Sequence, residues 1–275
     1  MRSTLAIAAP IGLYIFTAVI PLPAQMQNNT EKQMACDNHD HRVDRMEHCE
    51  IREQSFPSVG RLSVEGHNGG ITVKGWVRNE VLVRARVDAT AETQAAADSL
   101  ASRVSVDISG GMVRSTGPDM QGDDQSSWSV SYEVFAPQTT DLSIKTHNGG
   151  LVISDVRGQI RFEGHNGGVV LKRVTGDIGG NTHNGRIQIE IVGPVSDGRQ
   201  LEASTHNGSI TVAMPANYSA HVLAETSTGH IQSDFPISEN GERRARQLDT
   251  SIGSGGPLMH LTTHNGEVAL KRTGL

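Results

Sequence analysis

The chain has little with which to build most kinds of site. Of its 275 residues 2 are cysteine and 4% are aromatic, and its formal net charge is −6. Two cysteines leave room for a single bridge, and so few aromatic rings leave the core to Val, Ile and Leu. The acidic balance excludes nucleic acid as the main partner, because a phosphate-binding surface is basic. There is no Gly-x-Ser-x-Gly, no His-Glu-x-x-His and no phosphate loop. No cofactor is implied, and the chain reads as a non-enzyme.

What is present begins with an export signal. Arg2 supplies a positive charge, an apolar stretch runs from Leu5 to Ile20, and Pro21-Leu22-Pro23-Ala24 offers a cleavage site before Gln25. Residues 1–24 therefore read as a signal peptide, with an uncleaved anchor as the alternative. No later segment could span a membrane. Residues 25–55 read as a polar, loosely ordered leader. In an oxidising compartment Cys36 and Cys49 read as a disulfide, and closing so short a loop is worth about 3 kcal/mol. Zinc is the rival, because Asp37, His39, Asp40, His41, Asp44 and His48 lie between them, although the spacing fits no familiar finger.

Thirty glycines point to many tight turns, and the sequence shows where they fall. His-Asn-Gly recurs with its asparagine at Asn68, Asn148, Asn166, Asn184, Asn207 and Asn265, and Ser227-Thr228-Gly229 is a degenerate copy. From Asn148 to Asn166 to Asn184 the step is 18 residues, then 23 and 21. Six and four residues before the asparagine stand apolar pairs such as Leu142 with Ile144 and Ile160 with Phe162. Three and five after it stand Leu151 with Ile153 and Val169 with Leu171. This period of two on both sides of a turn means strand, turn, strand. Stacked coils of this kind bury one continuous core.

The expected fold is all-β: a single-stranded, β-helix-like solenoid of stacked His-Asn-Gly turn coils over 138–275, with a long insertion near 236–257. A β-rich part over 56–137 carries one repeat copy and one short helix near 90–103, where the chain is Ala-rich and free of Gly and Pro. The asparagines share the inward parity of the preceding strand, which predicts a partly buried ladder of amides, rung to rung. Gly69, Gly149, Gly167, Gly185, Gly208, Gly229 and Gly266 follow them, where positive φ is expected. The preceding histidines have outward parity and form a surface row.

With the repeats laid out, the sequence resembles a bacterial family of putative adhesins, a domain of unknown function with β-strand repeats. The resemblance rests on Gly69-Gly70-Ile71-Thr72-Val73-Lys74-Gly75-Trp76, on Asp141-Leu142 through Asn148-Gly149-Gly150, and on Ile252-Gly253-Ser254-Gly255-Gly256 with Thr262-Thr263-His264-Asn265-Gly266. It covers about Cys49 to Arg272 and implies a fold rather than a chemistry. The expected function is that of an exported envelope module, periplasmic, cell-surface or secreted, that binds envelope polysaccharide or protein. The alternative is a histidine row, His147, His165, His183 and His206 among them, that binds a transition metal or senses pH near the ordinary imidazole range. A polysaccharide-acting β-helix enzyme is a further reading, for which the outward columns offer only scattered alternating charge.

Overall fold

The computed structural model describes residues 34–36, 45–120, 122, 125–193, 199–236, 242–244 and 246–273. The expected signal peptide over 1–24 and residues 37–44 between the cysteines lie outside these residues, whereas His48 is described and its ring lies 2.8 Å from Asp98. The chain runs through β1 (Met46–Pro57), then a first coil made of β2 (Arg61–Asn68) and β3 (Ile71–Trp76), then β4 (Glu80–Ala91). Helix α1 (Gln94–Ser102), β5 (Ser105–Ser109), β6 (Met112–Thr116) and β7 (Ser127–Pro137) follow. Four coils come next: β8 (Asp141–Asn148) with β9 (Leu151–Ser154), β10 (Ile160–Asn166) with β11 (Val169–Val174), β12 (Ile178–Asn184) with β13 (Ile187–Ile191), and β14 (Leu201–Asn207) with β15 (Ile210–Pro215). The degenerate coil is β16 (Ala220–Thr226) and β17 (Ile231–Ser233). After β18 (Glu242–Arg244) and β19 (Gln247–Ile252), the last coil is β20 (Leu258–Asn265) and β21 (Val268–Thr273).

The strand before each turn joins an eleven-stranded sheet, in the order β18-β19-β16-β20-β14-β12-β10-β8-β2-β6-β5. The strand after it joins a ten-stranded sheet, β1-β4-β7-β3-β9-β11-β13-β15-β21-β17. Neighbouring coils pair in parallel and in register, so Leu142 lies beside Ile160 and Leu151 beside Val169. The inward columns meet between the sheets: Leu142, Ile144, Ile160, Phe162, Leu171 and Ile189 are all at most 3% exposed. Each such side chain contributes about 1.5–3 kcal/mol of burial. Phe162 is accommodated because the next rung carries Gly180, where an added Cβ would meet the Phe162 ring at 2.5 Å.

A second corner returns each coil to the next. Asp155 and Arg173 sit there with φ of 60° and 52°, and the Arg173 Nε donates to Asp155 Oδ1 at 2.6 Å across the rung. The pair joins successive coils at this corner.

Both ends of the stack depart from chain order. Asn265 of β20 pairs in register with Asn207 of β14, while Thr263 of the same strand pairs with Thr226 of β16. The last coil therefore inserts between its two predecessors, where repeat order alone would append it. Strand β19 then covers β16 in antiparallel fashion. At the other end β6 and β7 lie parallel to β2 and β3 and form a rung without the motif. Antiparallel β5, β4 and β1 cap it. The stack thus begins with residues expected to precede it, and the expected insertion near 236–257 supplies the cap strands β18 and β19.

Two local expectations are corrected. Thr90 and Ala91 belong to β4, because β7 continues to pair with that strand as far as Ser127. The helix starts after Thr93, whose side chain caps it by accepting from the Ala96 N–H at 3.2 Å. Residues 46–55, expected as leader, are strand, since β4 offers β1 an in-register edge twelve residues long. Cys49 in β1 is disulfide-bonded to Cys36. On the outer face of the ten-stranded sheet, Glu133 accepts from Lys74 Nζ at 3.2 Å and Arg84 Nη1 at 3.3 Å. No helix among the described residues is long and apolar enough to cross a membrane.

Candidate functional site

The outer face of the eleven-stranded sheet carries most of the groups capable of recognition. At the corner each Asn–Gly step makes the same bonds to the next rung. The Asn148 side-chain N–H donates to Asn68 Oδ1 at 2.8 Å, Asn166 to Asn148 at 2.8 Å, Asn184 to Asn166 at 2.9 Å, and Asn207 to Asn184 at 2.8 Å. Asn265 donates to Asn207 at 2.8 Å, and the Thr228 hydroxyl closes the row on Asn265 Oδ1 at 3.1 Å. Every amide donates in one direction, so the side-chain dipoles run head to tail and polarise one another.

Depth is a correction to the sequence reading. Asn166, Asn184, Asn207 and Asn265 are exposed, and only Asn68 and Asn148 are half-buried. Inward parity fails at the corner, where the chain turns across the rim of the core instead of into it. The buried polar column is two residues earlier: Thr146, Thr182, Thr205, Thr226 and Thr263. The hydroxyls of Thr182, Thr205, Thr226 and Thr263 donate to the carbonyls of Gly167, Gly185, Gly266 and Gly208 at 2.8–3.2 Å. Threonine fills five of the seven places in that column, and this was the sequence signal for it.

The turn glycines are explained by space more than by φ. An added Cβ at Gly149, Gly167, Gly185, Gly208, Gly266 or Gly229 would lie 1.7–2.1 Å from the carbonyl oxygen of the glycine one rung away. At Gly69 it would meet the Val130 carbonyl at 2.3 Å. Only some of these residues fall in the left-handed range, Gly69 most clearly with φ of 122°. Because the asparagine amides are exposed, replacing Asn166 by Ala should cost about 1 kcal/mol, two solvent-accessible hydrogen bonds being lost. Lys172→Ala should stay below about 0.5 kcal/mol. Urea unfolding of both variants checks the difference.

The six histidines form a single exposed column. Ring centroids are 5.3 Å apart for His67–His147, 4.6 Å for His147–His165, 5.2 Å for His165–His183, 4.9 Å for His183–His206 and 4.7 Å for His206–His264. Adjacent planes are within 7° of parallel. Among the described residues no three His, Cys, Asp or Glu side chains converge as a metal site.

Beside the column runs a trough. One part of it, about 580 Å³, is lined by Lys145, Arg161, Glu163, Asp177, Gly179, Asn181, Glu202 and Ser204 among others. Gly179 makes the floor: it stands where neighbouring rungs carry Arg161 and Glu202, and Arg161 lies across it, donating from Nη1 to the carbonyls of Ile160 and Asp177 at 3.2 and 3.1 Å. Lys145 pairs with Glu163 at 3.0 Å, and that hydrogen bond holds the ammonium charged above its ordinary range. A second part of about 370 Å³ shares Asn181 and Ser204 with the first and reaches His183, His206 and His264. A third, about 330 Å³, shares Ser227, Thr262 and Thr263 with the second. The three parts adjoin along one face of the sheet.

Several solved structures are similar in part. One is a putative cell adhesion protein from Clostridium sporogenes, 10% identical with a TM-score of 0.42, matched over 82% of this chain and 100% of that one. Another is a putative adhesin from Bacteroides fragilis, also 10% identical at a TM-score of 0.42, over 80% and 97%. A putative lipid binding protein from Parabacteroides distasonis is 11% identical with a TM-score of 0.32, over 81% and 96%. No curated protein matches the chain. The model of the family described as Toastrack DUF4097 matches residues 38–271.

Proposed function

This chain belongs to the Toastrack DUF4097 family, and on that footing we propose that it is an exported, non-enzymatic binding module whose eleven-stranded sheet holds an extended envelope polysaccharide. The observation that carries the reading is the trough: hydroxyl, amide, carboxylate and guanidinium groups repeat along one sheet face at the strand spacing of about 4.8 Å. A channel open along the sheet suits a long polymer better than a compact ligand, which wants a closed, mostly apolar pocket. Catalysis needs groups converging on one atom, whereas Glu163 in this trough is engaged by Lys145. Export is supported by the Cys36–Cys49 bridge, since such bridges persist in oxidising compartments. The asparagine ladder and turn glycines are, in this reading, the structural support of the wall.

The test fills the trough. The three atoms nearest to a Cβ at Gly179 all belong to the Arg161 side chain, Nη1 closest at 3.3 Å, so Gly179→Leu must push that flexible side chain aside, and urea unfolding of the variant is measured alongside its binding. Binding to purified envelope polysaccharides, read on a glycan array and by calorimetry, should weaken at least about tenfold, or about 1.4 kcal/mol. No polysaccharide binding by the parent protein, or full binding by Gly179→Leu combined with Arg161→Ala, would sink the reading.

A further inference from the structure

The histidine column carries a second inference, which rests on the ring geometry and is tested with metal ions alone, although part of the column borders the same trough. We propose that adjacent imidazoles of the column bind divalent transition-metal ions in pairs, with His183, His206 and His264 as the principal site. These three stand at successive rungs, with ring centroids 4.9 and 4.7 Å apart, and they line the same 370 Å³ part of the trough. All three are exposed, so rotation about their side-chain bonds is open to them.

In the stacked arrangement the rings do not converge. Parallel rings direct their in-plane lone pairs side by side, and no single point lies at the ~2.0–2.1 Å metal–nitrogen distance from both. A modest turn of two exposed rings makes the nitrogens converge, because the strand spacing of about 4.8 Å is close to the span of two such bonds. Two imidazoles then supply two ligands and water the remainder. Asn181, Ser204 and Thr262 line the same space and offer hydrogen bonds to those waters. Neutral imidazole suits copper, nickel and zinc, and the usual affinity order places Cu²⁺ above Zn²⁺.

Adjacency is what distinguishes this site from a set of surface histidines. A variant with His67, His147 and His165 replaced by Gln keeps three histidines on successive rungs. A variant with His147, His183 and His264 replaced by Gln also keeps three, each separated from the next by an empty rung of the column. The remaining histidines of the chain are the same in both, so background binding cancels. Full-length, disulfide-intact proteins are titrated with CuCl₂ and with ZnCl₂ by calorimetry, and the Cu²⁺-loaded forms are examined by electron paramagnetic resonance. The first variant should bind Cu²⁺ within about threefold of the parent, more tightly than Zn²⁺, with hyperfine coupling to two imidazole nitrogens. The second should bind at least about tenfold more weakly, with coupling to one. Replacing His67, His165 and His206 instead gives a second variant without neighbours and should behave like the second, which guards against a fold defect in either. Equal affinities in the variants with and without neighbouring histidines, or no metal binding by the parent, would overturn the proposal.

Discussion

Replacing Gly167 by Ala should destabilise the protein by about 3 kcal/mol or more, at the upper end of what overpacking costs. The new methyl would lie 2.0 Å from the Gly149 carbonyl oxygen, and neither backbone can retreat. The Gly149 N–H is bonded to the Asn166 carbonyl at 2.8 Å and the Gly167 N–H to that of Asn184 at 2.9 Å, so relief would have to part the coils. Gly168→Ala, one residue along the same turn, supplies the control. Its Cβ would sit 3.5 Å from the Arg186 carbonyl oxygen, an ordinary contact, and the change should stay within about 1 kcal/mol. Urea midpoints for the two variants give the comparison. Equal midpoints would mean that the coils are spaced by something other than glycine contact.

Glu133→Ala should be the next most costly change, at about 2–3 kcal/mol. The Glu133 side chain is 8% exposed, while its partners Lys74 and Arg84 are 21% exposed. Breaking a fully buried pair costs about 3–5 kcal/mol because a desolvated charge is left behind. Here both cations reach some water, and Arg84 keeps Glu53 at 2.6 Å, so the figure falls below that range. Glu133→Gln retains an acceptor and should recover about 1 kcal/mol of the loss. Thermal and urea unfolding of the two variants measure this directly. A loss below about 0.5 kcal/mol for Glu133→Ala would place the two cations in water instead.

Strand content, the repeat and the family were legible because period-two columns such as Leu142 with Ile144 and Leu151 with Ile153 admit no helical reading. Periodicity says which side chains share a face. It does not say in which order the rungs lie, so the insertion of β20 beside β14 was hidden. Nor could it reveal the rung made by β6 and β7, which lacks the motif and replaces the turn with residues 117–126. The asparagines show a different limit. Parity within a strand assigns them to the inside, but at a corner depth depends on how the two sheets diverge. Positive φ, expected at all seven turn glycines, holds at Gly69, Gly149, Gly167 and Gly208, while close approach between coils is the requirement all seven share. Of the candidate site, the outward histidine row was readable from the sequence. The trough was not, because its floor depends on Gly179 lying between Arg161 and Glu202 in space.

The interleaved ends also bear on how such a chain can change length over generations. From β8 to β15 four successive coils lie side by side in the stack in the same order as in the chain. Duplication or loss of a unit there shifts everything beyond it by one rung and leaves all other neighbours as they were. Strand β21 has no free flank of its own, since it is paired on both sides, with β15 and with β17. Deleting the last coil removes the surface on which β16 and β17 are seated. Divergence in repeat number should therefore concentrate in the central segment.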